Sequence, residues 1–292
     1  MTADSTPDTA HLYQDDGLLT PRVGPWVSTK HQKLAYYSSM FSTGMKKRWQ
    51  CGVYLELFSG AGKSRTGAPP AIVPGSPLLA LDVKDPYDKY IFCEQDPASM
   101  AALRSRIERS FPDSDVACIL GDANVNTDQI LGAVPTFSRG YRGLTFCFAD
   151  PYKLSQLRFA TLKRLADALY IDFLVLIPTY MDANRNERRY TEEDCSIVDD
   201  YLGSRDWRNR WRNASQRPAP DFGHFVADEF GRSMQSVGFL YEGVKDYELV
   251  RMTNDKNQRL YHLALFSKNN TGLQFWRKMR RNTNPPRLFE LD

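Results

Sequence analysis

Five short apolar runs recur through the middle of the chain, and each is followed by turn residues or a carboxylate. Their apolar residues are continuous rather than alternating with polar ones, which indicates burial on both faces. Such runs are typical of strands in a parallel sheet that helices cover on both sides. The predicted strands are Gly52–Leu57, Tyr90–Cys93, Ala117–Leu120, Leu144–Ala149 and Phe173–Ile177.

Helical stretches separate these runs, and a different pattern follows them. Near the end of the chain, the strand-like runs Phe239–Arg251 and Leu260–Phe266 flank a short polar turn at 253–257. This spacing predicts an antiparallel hairpin, because a parallel pair needs a longer crossover connection. Helices are predicted at Ser28–Trp49, Ser76–Lys84, Pro97–Ser110, Asn126–Leu131 and Leu157–Tyr170.

Five parallel units followed by a hairpin predict an α/β protein with the class I methyltransferase type of Rossmann fold. We expect a mostly parallel seven-stranded sheet with a C-terminal antiparallel hairpin and helices on both faces. The length of 292 residues suits one main domain, expected over 25–270 with a helical insertion at about 182–235. Residues 1–24 lack apolar periodicity and are expected to be a flexible tail, and 271–292 a basic C-terminal extension.

Composition narrows the class of protein without identifying a ligand. Charged residues make up 25% of the chain, and the net charge of +3 attracts polyanions only weakly. The five cysteines occur singly, which favours reduced thiols over disulfides or a zinc site. The histidines are scattered without metal-ligand spacing, and no apolar run has the length of a signal sequence or membrane span. We therefore expect a cytoplasmic protein without a metal ion or membrane contact.

In such a sheet, ligands bind beyond the carboxyl ends of the strands, where the strand order reverses. The first predicted strand carries Glu56 and ends in the turn Phe58-Ser59-Gly60-Ala61-Gly62. Its glycines let the backbone turn sharply and approach a ligand, while backbone N–H groups stay free to donate hydrogen bonds. A tight strand-to-helix turn without a ligand would use the same residues, but an acidic residue inside the strand favours a binding site.

The next two strands also end in carboxylates. The second ends in Glu94-Gln95-Asp96, where a carboxylate can accept hydrogen bonds from both hydroxyls of a ribose. Alternatively, a carboxylate there caps the following helix, a role that suits Asp96 better than Glu94. The third ends in Gly121-Asp122-Ala123, which can hold an adenine ring or, through Asp122, cap the following turn. The expected nucleotide site thus combines the glycine turn with Glu94, Gln95, Asp122 and Ala123.

The fourth strand ends in Asp150-Pro151-Tyr152, where a substrate would meet the nucleotide. A carboxylate, an exposed carbonyl before the proline and an aromatic ring can together bind an exocyclic amino group and stack on a base. A plain Asp-Pro turn with a packed tyrosine would use the same residues. We expect these three residues to be catalytic, with Asp150 orienting a nucleophile or accepting its proton.

Five blocks follow one another in a recognisable order: Trp26 with Lys30-His31, Tyr54–Gly62, Gly75–Leu81, Phe92–Pro97 and Asp150–Tyr152. Together they resemble the three-Cys-motif partner (TcmP) proteins over roughly residues 26–270. The resemblance implies a bacterial class I methyltransferase fold, with S-adenosylmethionine on Gly60, Gly62 and Glu94 and the active centre at Asp150. It also implies genomic association with a three-cysteine-motif protein resembling a radical S-adenosylmethionine enzyme, in mobile-element or phage-conflict settings. Tyr152 departs from nucleic-acid amino-methyltransferases, which usually carry a second proline there.

A possible nucleic-acid surface lies outside these blocks. Trp207 and Trp211 are four residues apart, and Arg208 and Arg212 have the same spacing. On a helix this places an aromatic stripe beside a basic stripe, which can stack bases and pair with phosphates. Alternatively, both tryptophans pack against the sheet while the arginines lie in solvent. The basic segment Arg277–Arg281 adds positive charge near the C-terminus.

Two functional hypotheses follow from these observations. The first is an S-adenosylmethionine-dependent methyltransferase that acts on nucleic acid or on a nucleotide-containing substrate. The second is a non-catalytic adaptor that keeps the methyltransferase fold and works in complex with a three-cysteine-motif partner. Binding of the cofactor and transfer of its methyl group distinguish the two.

Overall fold

The computed structural model describes residues 9–24, 26–46, 48–67, 70–214, 221–251 and 257–281. Its strands are β1 (Cys51–Glu56), β2 (Lys63–Arg65), β3 (Ile72–Pro74), β4 (Lys89–Glu94), β5 (Val116–Leu120), β6 (Gly143–Ala149), β7 (Ile171–Ile177), β8 (Glu248–Arg251) and β9 (Arg259–Phe266). Its α-helices are α1 (Trp26–Met45), α2 (Ser76–Leu81), α3 (Pro97–Ser110), α4 (Thr127–Ala133), α5 (Phe159–Ala168), α6 (Glu187–Tyr190), α7 (Ile197–Leu202), α8 (Trp207–Ala214), α9 (Phe222–Ser236) and α10 (Asn270–Arg281). Short 3₁₀ turns lie at Thr9–Tyr13, Leu154–Gln156, Asn184–Asn186 and Val244–Asp246, and a π-helical turn at Thr179–Ala183.

The main sheet has seven strands in the order β5-β4-β1-β6-β7-β9-β8. The first five of these are parallel, whereas β9 pairs antiparallel with both β7 and β8. This confirms the predicted mostly parallel sheet with a C-terminal antiparallel hairpin. The strand order reverses between β1 and β6, so the ligand crevice is expected at the carboxyl ends of these two strands.

Both faces of the sheet are covered, as the continuous apolar runs predicted. Every residue of β6 and β7 is buried. Along β1, Val53 and Leu55 belong to a core shared with α5, α7 and α9, whereas Tyr54 points into a second core shared with α1, α2 and α3. Helices α6–α9 occupy the region expected to be a helical insertion.

One local prediction was wrong. The run expected to be a strand from Phe239 forms one only from Glu248, because Gly243 has φ 118° and a 3₁₀ turn follows it. After the glycine turn, β2 and β3 form a small antiparallel pair that was not predicted. Residues 253–256 of the predicted hairpin turn lie outside the described part of the chain.

Residues 9–24, which were expected to belong to a flexible tail, make specific contacts with the domain. Leu12 is buried in the core, and Val23 and Pro21 exchange backbone hydrogen bonds with Arg65 of β2. Asp16 forms an ion pair with Arg106 of α3. Because ion pairs and backbone hydrogen bonds hold this segment, the sequence shows no apolar periodicity that would have predicted its contacts. Residues 1–8 lie outside the described ranges.

The domain also continues past residue 270, where a basic extension was expected. Helix α10 buries Trp276, whose Nε1 donates a hydrogen bond of 2.7 Å to the carbonyl oxygen of Asp246. Residues 282–292 are not among those described. Within the described ranges, no helix combines the length and the apolar character needed to cross a bilayer.

Candidate functional site

The turn after β1 has a backbone that needs glycine. Gly60 and Gly62 have φ values of 63° and 82°, in the left-handed region. A Cβ at Gly62 would lie 2.9 Å from Leu103 Cδ1, whereas a Cβ at Gly60 would meet no atom within 4 Å. Ser59 fastens the turn to β4, because its backbone N–H and its hydroxyl both donate to the carbonyl oxygen of Cys93, at 3.0 and 3.1 Å. Gly60 therefore leaves open space beside a fixed turn.

Glu94, at the end of β4, is bound to this turn. Its Oε2 accepts a hydrogen bond of 2.7 Å from Gly60 N, and its Oε1 accepts one of 2.8 Å from Asp96 N. Asp96 itself caps α3 by accepting from Ser99 N at 2.7 Å. Of the two carboxylates, Asp96 is therefore the one that caps the following helix, as the sequence favoured. Each Glu94 oxygen keeps a second lone pair with which it can accept a further hydrogen bond.

Glu94 lines one cleft with predicted residues from the ends of β1, β4, β5 and β6. They are Phe58, Gln95, Asp122, Ala123, Asp150 and Tyr152, joined by Leu57, Gly121 and Gln156. Ser59, Gly60, Ala61 and Gly62 form the adjoining turn and are not part of this lining. Asp122 also stabilises its own turn, because its Oδ1 accepts from Asn124 N at 2.6 Å. Both interpretations of Asp122, as a ligand group and as a turn residue, are compatible with this geometry.

Gln156 was not expected in the site. Its Oε1 accepts hydrogen bonds from the backbone N–H groups of Tyr152 and Lys153, at 2.6 and 3.0 Å. These bonds fix the backbone just after Asp150-Pro151, and Tyr152 is 59% exposed. A polar residue seven positions after a strand end is too common a sequence feature to have indicated this role.

Asp150 forms an ion pair with Lys30 of α1. Both side chains are mostly buried, with exposed fractions of 17% for Asp150 and 13% for Lys30. Next to Lys30, His31 is buried, and its burial together with the charge of Lys30 lowers its pKa to about 3. The pair joins a helix on one face of the sheet to the end of β6. Sequence reasoning singled out Lys30 only within a resembling block, since 120 positions separate the partners.

Glu56 is fully buried and does not line the cleft. Burial raises the pKa of its carboxyl group well above the usual range; the charge of Asp150 raises it further, while hydrogen bonds from Ser76 and Tyr54 lower it. The Tyr54 hydroxyl donates to Oε2 at 3.1 Å, and the Ser76 hydroxyl donates to Oε1. The buried carboxyl group thus ties β1 to α2, and its predicted contact with a nucleotide stays a prediction.

Arg106 of α3 supports the glycine turn from behind. Its guanidinium group is almost fully buried and donates to the carbonyl oxygen of Ala61 and, at 2.9 Å, to that of Leu19. Two further bonds of 2.8 Å reach both carboxylate oxygens of Asp16. The glycine turn and the N-terminal segment are therefore held by one buried cation, which the sequence pattern did not indicate.

The predicted stripe on α8 is not a surface for stacking bases. Trp207 is fully buried, and its Nε1 donates to Asp199 Oδ1 at 2.8 Å. Arg208 is also buried, paired with the same carboxylate and stacked 4.6 Å from the centre of the Trp207 ring. Asp199 of α7 supplies a partner for both groups, so these two residues turn inward. The proposal that they bind nucleic acid was wrong.

The other two residues of the stripe differ from each other. Trp211 is partly buried, and its ring centre lies 5.1 Å from that of Phe222 and 5.0 Å from that of Phe225. Arg212 is mostly exposed and pairs with the exposed Glu193. Both tryptophans therefore pack inward, on Phe222 of α9, and only Arg212 of the two arginines lies at the surface, so the alternative holds for the burial of the tryptophans but not for Arg208. In the part of the chain that the structure describes, no cluster of His, Cys, Asp or Glu could hold a metal ion.

No family model matches the sequence, and no curated protein matches it. Among solved structures, the chain is similar to an O-methyltransferase from Bacillus cereus in complex with SAH, at 13% identity and a TM-score of 0.46, covering 89% of this chain and 86% of that one. It is also similar to protein LPL1258 from Legionella pneumophila, at 12% identity and a TM-score of 0.48, covering 86% and 91%. A third is the O-methyltransferase TomG from Streptomyces achromogenes in complex with SAM, at 12% identity and a TM-score of 0.42, covering 89% and 94%. With its mostly parallel seven-stranded sheet and antiparallel β9, the chain has the class I methyltransferase type of Rossmann fold.

Proposed function

We propose that the protein is an S-adenosylmethionine-dependent methyltransferase whose cofactor lies in the cleft at the ends of β1, β4, β5 and β6. The observation that carries this proposal is the bond between Glu94 Oε2 and Gly60 N, which brings a carboxylate suited to ribose hydroxyls to a turn with open space beside it. When bound, S-adenosylmethionine supplies a methyl group on a positively charged sulfur atom.

The charge of the cleft fits such a ligand. Three carboxylates, Glu94, Asp122 and Asp150, line it. Because opposite charges attract most strongly where water is partly excluded, this lining favours a ligand with sulfonium and ammonium groups. Glu94 would accept from the ribose hydroxyls, and Asp122 with the backbone of Ala123 would hold the adenine edge. Phe58 and Leu57 supply an apolar wall for the rest of the ligand.

Asp150 is the group we assign to the reacting atoms. Its carboxylate can accept a hydrogen bond from the nucleophile of the methyl acceptor, align that atom, and take up its proton. The ammonium group of Lys30 fixes the carboxylate in place and offsets its charge. Pro151 is buried and holds the backbone, while the exposed ring of Tyr152 is free to lie against a flat acceptor group.

The acceptor that we propose is nucleic acid or a nucleotide-containing substrate. An exposed tyrosine two residues after a strand-end carboxylate supports it, whereas the buried tryptophan and arginine of α8 do not. The resemblance to the TcmP family supports a bacterial setting with a three-cysteine-motif partner protein.

Transfer of a labelled methyl group tests the proposal. The parent protein is incubated with labelled S-adenosylmethionine and DNA, RNA or a co-expressed three-cysteine-motif protein. We expect Asp150→Asn to lower the transfer rate by about 100-fold or more, as loss of a proton acceptor does. Asp128→Asn, an exposed carboxylate of α4, is the matched control and should leave the rate unchanged. Equal rates in the parent and Asp150→Asn would remove Asp150 from the mechanism, and bound cofactor without transfer to any acceptor would favour the adaptor.

A further inference from the structure

A second cleft of about 570 Å³ lies beside the β8–β9 hairpin. His262 of β9, which lines it, pairs with Ile177, the last residue of β7. Tyr180, from the π-helical turn after β7, lines the cleft as well. Neighbouring strands lie about 4.8 Å apart, and β9 is two strands from β6, so the cleft begins about 10 Å from the strand end that carries Asp150.

The rim of this cleft is positively charged. Lys245, Arg251 and Arg259 line it together with one carboxylate, Asp228. That carboxylate is already engaged, because Asp228 accepts a hydrogen bond of 2.5 Å from the Tyr241 hydroxyl and pairs with an arginine of its own helix at 3.0 Å. Among the residues that the structure describes, Lys245 and Arg251 form no ion pair, since Arg251 contacts only a backbone carbonyl. Within the described ranges, these two cations at the rim therefore lack a negative partner.

The floor of the cleft is made of the rings of Tyr180, His224 and His262. The ring centre of His262 lies 5.9 Å from that of Tyr180 and 6.1 Å from that of His224. Burial, with the charge of His224 next, lowers the pKa of His262 to about 4. Arg259 covers the Tyr180 ring at 4.3 Å from its centre and pairs with Asp221 at 3.1 Å. A flat ring can therefore lie against this aromatic surface while an anion stays at the rim.

We propose that this second cleft binds a nucleotide of the methyl acceptor, with Lys245 and Arg251 pairing with its phosphate and the base lying against Tyr180 and His262. Unpaired cations beside stacked rings are the combination that recognises nucleotides, because phosphate supplies the charge and the base the flat surface. The net charge of +3 is small, so this rim would act locally rather than through the whole protein. That the nucleotide belongs to the methyl acceptor rests on the proposed function; the binding itself does not.

Direct binding to the full-length protein tests the proposal. The probes are a fluorescein-labelled single-stranded decanucleotide, followed by anisotropy at several salt concentrations, and adenosine 5′-monophosphate, followed by its competition with that probe. The test variant is Lys245→Gln with Arg251→Gln. The control variant, Lys84→Gln with Arg109→Gln, removes the same charge from exposed positions near α2 and α3.

We expect the test variant to bind the oligonucleotide about tenfold more weakly or worse, because each lost contact is a hydrogen bond between charged groups. The slope of log affinity against log salt should fall by about 0.7, since both cations pair with one phosphate and each single-strand phosphate contact contributes about 0.7. The control variant should bind like the parent. Competition by adenosine 5′-monophosphate at concentrations near those of the oligonucleotide would support a free nucleotide as the ligand, and weak competition would support a nucleic-acid strand.

Two results would overturn the proposal: no binding of either probe by the parent, or equal loss in the test and control variants. Binding of S-adenosylmethionine is measured separately on the same proteins. If the methyltransferase assignment is wrong, the parent will bind the oligonucleotide but not S-adenosylmethionine. The two proposals therefore fail by different results.

Discussion

Replacing Asp16 by Asn probes the buried cation behind the glycine turn. Arg106 is 2% exposed and donates two hydrogen bonds of 2.8 Å to the Asp16 carboxylate. The amide of Asn offers one oxygen in place of two and carries no charge, so the guanidinium group loses its counter-ion while it remains buried. Removal of one partner from a buried ion pair costs about 3–5 kcal/mol. Because 19% of the Asp16 side chain is exposed, water offsets part of this cost, and we expect about 2–3 kcal/mol.

The stabilisation that Asp16 provides should depend on pH in a predictable direction. The hydrogen bonds from Arg106, together with other contacts, hold the pKa of Asp16 well below its usual range. A carboxyl group with a lowered folded-state pKa stabilises the fold above its unfolded pKa, near 4, and this stabilisation is lost as the pH falls towards the folded pKa. The difference in stability between the parent and Asp16→Asn should therefore shrink below about pH 4.

Urea unfolding followed by tryptophan fluorescence measures both effects. Asp15→Asn is the matched control, because the neighbouring Asp15 has the same charge but is 52% exposed and pairs with Arg65 at the surface. It should change the free energy of unfolding far less than Asp16→Asn does. Equal losses in the two variants at pH 7 would refute the structural role assigned to the buried pair.

Burial raises the pKa of Asp172 to about 7, so the contribution of Asp172 to stability falls as the pH rises from about 4 to 7, by at most about 4 kcal/mol. Relative to the parent, Asp172→Asn should therefore become more stable between pH 5 and pH 8 in urea unfolding. A stability difference between parent and variant that is the same at both pH values would contradict this. Gly62→Ala places a Cβ 2.9 Å from a buried leucine at φ 82° and should destabilise the protein by about 1–3 kcal/mol. The cost should exceed that of Gly60→Ala, whose Cβ meets no atom within 4 Å. A lower melting temperature for Gly60→Ala than for Gly62→Ala would contradict the geometry of the turn. Trp207→Ala should lower the free energy of unfolding by about 3–5 kcal/mol and Arg212→Ala should hardly change it. Similar losses in the two variants would contradict the burial of Trp207.

The sheet was predictable because burial on both faces leaves a continuous apolar signature. The runs at β6 and β7 are buried at every position, and they coincide with the predicted strands to within two residues. The hairpin was also predicted, but its first strand was placed too early. Phe239 is buried against Phe173 and looks like a strand residue, although Gly243 interrupts the extended backbone after it.

The side chains around the site were less predictable, because their partners are far away in sequence. The strand ends themselves, such as Glu94 and Asp150, follow from topology, since parallel strands bring their carboxyl ends to one edge. Arg106 pairs with a residue 90 positions away, and Lys30 with one 120 positions away. The prediction of a nucleic-acid surface on α8 was wrong for a related reason. Its spacing is equally compatible with either face, and the buried carboxylate of Asp199 that decides between them lies on another helix.

Calorimetric titration of S-adenosylmethionine into the parent, Glu94→Ala and Glu108→Ala tests the central claim most directly. Glu108 is an exposed carboxylate of α3 and serves as the matched control. We predict one site per chain in the parent, binding about tenfold or more weaker in Glu94→Ala because charge-assisted hydrogen bonds to the ribose are lost, and unchanged binding in Glu108→Ala. Absence of binding of both S-adenosylmethionine and S-adenosylhomocysteine to the parent would contradict the account.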